Sequence, residues 1–138
     1  MGELIYTFAS LATRHTKEGT CIEGMRLLAR TLHPHGIRIT WLVSPESARF
    51  AARELTEWHE VHGDNAAVGL MNDPPAPADA REALAKARDA IAKILPWANL
   101  TVAGSAHTAP GIGGILEDLG FQGLWGFCWE QIEGPNHR

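Results

Sequence analysis

The sequence predicts an α/β fold, a mostly parallel sheet of about five strands alternating with helices, and three observations predict it. Five short runs rich in β-branched, aromatic and other apolar residues are spread along 138 residues. Segments with apolar residues at helical spacing separate most of them. The links between runs are long enough for crossovers, which parallel strands need and a hairpin does not.

The first strand is expected at Leu4 to Ala9, followed by a polar loop. Thr20 and Glu23 then form a capping box, in which hydroxyl and carboxylate satisfy amides at a helix start. Ile22, Met25, Leu28, Ala29 and Leu32 give that helix one apolar face, and His33-Pro34-His35-Gly36 stops it. A second strand spans Ile37 to Val43. Ser44-Pro45 starts a helix lined by Phe50, Ala51, Leu55 and Trp58, which Gly63 ends. A third strand covers Ala66 to Met71, and a linker with three prolines, Asn72 to Ala78, follows it. Asp79 and Glu82 cap a third helix with Leu84, Ala87, Ile91 and Leu95 on its inner face, closed by Pro96. Leu100 to Gly104 is the fourth strand, Gly111 to Leu119 a short helix with Gly120 at its end, and Gly123 to Trp129 the fifth strand. Trp125, Phe127 and Trp129 alternate onto one face, so Trp125 and Phe127 are expected in the core and Trp129 near the rim.

Composition narrows the function. At 45% hydrophobic residues, the chain fills one core, and the whole of 1–138 is read as one domain. A formal charge of −4, without a basic stripe, argues against a nucleic-acid partner. No apolar run approaches the roughly 20 residues of a membrane span, and Met1-Gly2-Glu3 does not open a signal peptide. Cys21 and Cys128, far apart and outside any Cys-x-x-Cys pair, read as free thiols. A cytoplasmic location is the resulting expectation.

Parallel α/β sheets bind ligands at the carboxyl ends of their strands. That rule selects Ser10 and His15 after strand one, Ser44 after strand two, Asn72 and Asp73 after strand three, Ser105 and His107 after strand four, and Glu130 after strand five. Asp64 precedes strand three and belongs to the opposite rim. A histidine and a carboxylate on neighbouring strand ends suit acid–base work. His107 is the candidate general base or acid and Glu130 its carboxylate partner. Ser10, His15, Asp73 and Trp129 are candidate substrate contacts, His15 and Asp73 being also of the types that ligate a divalent ion.

Other patterns are weaker. His59 and His62 are spaced by three, not by the four of the His-Glu-x-x-His zinc motif, and His33 and His35 flank a proline. All four read as surface histidines near helix ends, where the helix dipole tolerates them. Gly111-Ile112-Gly113-Gly114 lacks the spacing of a nucleotide-binding loop.

Taken together, Ile5-Tyr6-Thr7-Phe8, then His35-Gly36-Ile37 leading into Ile39 to Val43, then Trp58-His59-Glu60-Val61, and finally Ile115 to Trp125 carry a likeness. The chain resembles the polysaccharide deacetylase-like (carbohydrate esterase) superfamily over most of its length. The resemblance implies a partial or distorted (β/α) barrel, a carbohydrate or similar polar small molecule as ligand, and hydrolysis of an amide or glycosidic bond. The family's metal ligands are an aspartate after strand one and two histidines after strand three; here the Asp-Asp positions that end strand one read Ala9-Ser10, and Gly69 to Asp73 holds no histidine. No metal ligand is therefore assigned. The rival expectation is a non-catalytic binding or assembly domain that completes an open sheet edge as a homo-oligomer, such as a homodimer.

Overall fold

A computed structural model describes residues 8–12, 21–70, 77–105 and 111–126. The elements are β1 (Phe8–Ala12), α1 (Cys21–Leu32), a 3₁₀ turn (His33–His35), β2 (Ile39–Val43), α2 (Pro45–Phe50), α3 (Ala52–His62), β3 (Asn65–Gly69), α4 (Pro77–Ile94), β4 (Val102–Ser105), α5 (Ile112–Asp118) and β5 (Gly123–Gly126). The five strands form one sheet in chain order, every neighbouring pair parallel. The expected class is the observed one.

Strand order that follows chain order has a consequence. Each crossover returns beside the strand it left, so right-handed connections lay every helix on the same face. The buried residues agree. Ala12, Ile39, Trp41, Val43, Ala66, Val68 and Ala103 share a single core with Met25 and Ala29 of α1, Leu55 of α3, Leu84 and Ile91 of α4, and Ile112 and Leu116 of α5. With helices on one face only, the sheet curls into a half-barrel.

The alternate residues form the concave face, and there the curl brings β2 against β4. Leu42 is fully buried and stands apart from the helix-side core. Gly104 makes room for it: a Cβ on Gly104 would lie 2.3 Å from Leu42 Cδ1. Gly69, Gly104 and Trp125 stand in one row across β3, β4 and β5.

Several boundaries differ from expectation. The long helix after Ser44 is two helices, broken at Ala51, and Phe50 is 60% exposed instead of facing inward. Ser44 and Ser47 explain the separate first turn. Ser44 Oγ accepts the Ser47 N–H and Ser47 Oγ accepts the Ser44 N–H, a capping box with Pro45 at the first helical position. Trp125 is 45% exposed and is not a core residue; β5 borders the described sheet, so the side chain has a strand on one side only. Leu124, on the helix side of the same strand, is 39% exposed. Phe127 lies outside the described residues, as do Cys128 and the Thr20 half of the first capping box.

Candidate functional site

The sheet has two rims, and among the described residues a hydrogen-bonded polar cluster stands at the amino-terminal one. Gly63 ends α3 in the left-handed conformation, φ +74°, donating to His59 O at 3.0 Å while Asp64 N reaches Trp58 O at 3.4 Å. That turn drives the Asp64 side chain inward, where it is 1% exposed. Its Oδ1 accepts the backbone N–H of Ile39 at 3.0 Å. Its Oδ2 accepts the indole N–H of Trp41 at 2.8 Å and lies 3.0 Å from His33 Nε2. A carboxylate only accepts, so Nε2 carries the proton of that third bond. One buried carboxylate thus joins the 3₁₀ turn, β2 and β3, and its charge is met by three donors.

Aromatic rings enclose this carboxylate. His33 stacks on His62 with centroids 3.8 Å apart, and Trp58 lies 5.2 Å from Trp41. His59 Nδ1 is 2.7 Å from the Asp64 carbonyl oxygen, so it is the protonated ring nitrogen, and the ring stacks on Trp97 at 4.2 Å. Trp97 Nε1 in turn donates to Thr56 Oγ1 at 3.2 Å. His33 and His59 are therefore packed and hydrogen-bonded rather than being the surface residues expected. His62 and His35 are exposed. Asp64 does occupy the rim assigned to it.

On the outer side of this cluster, a groove of about 630 Å³ lies between α1 and α3, with His33 and His62 in its wall beside Arg26, Arg30, Arg53 and Glu54. Arg26 is hydrogen-bonded to Glu54, and this bond, more than any other influence, holds the Glu54 carboxyl below its ordinary range. His33, oriented by a carboxylate, has the form of a base with its orienting partner. Among the described residues, the groove is lined by no serine, threonine or cysteine.

The carboxyl-terminal rim is different. A cavity of about 110 Å³ is walled by Val68, Gly69, Leu70, Leu84 and Ile112, with Ser44 as its hydroxyl. That hydroxyl is held in the α2 cap. Of the residues selected from the sequence, Ser10 lies within β1 rather than after it. It pairs in register with Trp41, two residues short of the strand's end, because β1 extends to Ala12. His15, Asp73, His107, Trp129 and Glu130 lie outside the described residues. Among the described residues, no three His, Cys, Asp or Glu side chains converge as a metal site would require. Nor is any described helix long and apolar enough to cross a membrane.

Compared with known proteins, the chain matches no family model, no curated protein and no solved structure.

Proposed function

We propose that the chain is a divergent deacetylase-like half-barrel that binds a carbohydrate, or a similarly polar small molecule, at the carboxyl rim of its sheet and hydrolyses it. One observation supports this most: all five strands are parallel and stand in chain order, so every segment following a strand leaves from the same rim. His107 follows Ser105 by two residues, and Glu130 follows Gly126 by four. β4 and β5 are paired neighbours. Chain connectivity therefore starts the two segments side by side, as an acid–base pair acting on one ligand needs. His15 and Asp73, in the segments that follow β1 and β3 in the chain, are assigned as substrate contacts.

The test is titration of the full chain with N-acetylated and plain oligosaccharides, with hydrolysis followed by release of acetate or of reducing ends. The expected result is saturable binding with turnover, which His107→Ala and Glu130→Gln each reduce by about a hundredfold or more. Unchanged turnover in both variants would remove the catalytic assignment.

The exposure of Leu124 and Trp125 on β5 favours a second reading, a non-catalytic domain that completes its sheet as a homo-oligomer. Light scattering decides it: a strictly monomeric species at high concentration excludes edge pairing.

A further inference from the structure

We infer that the groove between α1 and α3 is an anion site, built for the phosphate of a small phosphate monoester. The inference is independent of the reading at the carboxyl rim. Three arginines, Arg26, Arg30 and Arg53, line a groove whose described wall carries one carboxylate, Glu54. The local excess of two positive charges stands out in a chain whose formal charge is −4.

The pairing pattern locates that excess. Glu54 is engaged by Arg26. Arg53, 85% exposed, reaches the same oxygen only at 3.6 Å. Arg30 has no ion pair or hydrogen bond to its side chain among the described residues, and it lines the groove beside the His33–His62 stack. The His33 side chain is 7% exposed and fixed by Asp64, so the floor is rigid before any ligand arrives. Guanidinium forks match the geometry of phosphate oxygens, and a concave, partly apolar wall strengthens the field they produce. A groove of about 630 Å³ takes a monoester of sugar size, with room for its non-phosphate part along the ring stack.

The experiment is an NMR titration of the full chain with inorganic phosphate, with phenyl phosphate, and with sodium chloride at matched ionic strength. The expected result is saturable shifts of the His33 and His62 ring resonances with both phosphates and not with chloride. Arg30→Ala weakens this binding about tenfold, and Arg30→Lys less, because it keeps the charge and loses the fork. Arg30 makes no ion pair or side-chain hydrogen bond among the described residues, so its variants are expected to keep the parent melting temperature. Tighter binding of phenyl phosphate than of inorganic phosphate supports the ester as ligand; equal affinity overturns the ester and leaves a site for the free ion. Shifts that chloride reproduces, or an affinity unchanged in Arg30→Ala, overturn the site itself.

Discussion

The two rims of this half-barrel are made of different materials. At the amino rim, Asp64, His33, His59, Trp41, Trp58 and Trp97 are locked together by hydrogen bonds and ring stacks. At the carboxyl rim, the described wall is small and apolar, with Gly69, Ala80, Ala83 and Ala87 around a narrow cavity. The difference shows that buried polarity can serve the fold itself, since all three donors to Asp64 come from the frame of the sheet. In (β/α) architectures the amino rim is the stability face and the carboxyl rim the functional one. A saturated network stabilises, whereas a site needs space and unspent polar groups.

That contrast breaks or sharpens under mutation. The largest effect is expected from Asp64→Ala, which strands the Ile39 amide, the Trp41 indole and the His33 ring without their acceptor, costing about 3–5 kcal/mol. Urea unfolding measures it, and a loss below about 1 kcal/mol would mean that the amino rim is no clamp. Leu42→Ala follows at about 2–5 kcal/mol from the cavity it leaves. Gly104→Ala is expected to cost about 1–3 kcal/mol through overpacking against Leu42. Combined, the two substitutions cost less than their sum, since the smaller side chain receives the added methyl; strict additivity would contradict the packing. Ser44→Ala, at the carboxyl rim, removes only a cap and costs about 1 kcal/mol, leaving the His33 and His59 ring resonances in place.

The smallest effect is electrostatic. Glu54 has its carboxyl pKa lowered in the fold, chiefly by the Arg26 hydrogen bond. The lowered pKa means that ionised Glu54 contributes stability above the ordinary carboxylate range of the unfolded chain. That contribution fades as pH falls through the folded pKa. Comparing unfolding free energy between pH 7 and pH 3 for the parent and Glu54→Gln should show a shallower acid loss in the variant; identical slopes would discount the Arg26 pair.

Much of the fold was legible in the sequence because periodicity and punctuation are local signals. Pro34-His35-Gly36, Ser44-Pro45, Gly63 and Gly120 each mark a boundary within a few residues of the observed one. The break at Ala51 was not legible, since Phe50 sits at a helical spacing that suits an inward face and only the Ser44–Ser47 cap makes the first turn a helix of its own. Trp125 read as core because alternation reports a face and not whether anything covers it. The Asp64 network was invisible for another reason: its partners lie 31, 25 and 23 residues away. The available signal was Trp41, an indole inside an apolar strand, whose N–H requires an acceptor when buried. As for the candidate site, parallel strands and their order support a shared rim, while the chemistry of that rim rests on the residues themselves.

The Trp41–Trp58 pair gives the molecule a built-in optical reporter. Their indoles, 5.2 Å apart and tilted by 30°, are close enough for excited states to couple, and Trp41 is wholly shielded from water. Near-ultraviolet dichroism and blue-shifted emission will therefore follow the clamp, while half-exposed Trp125 emits to the red. Loss of the coupled, blue-shifted signal reports opening at the amino rim.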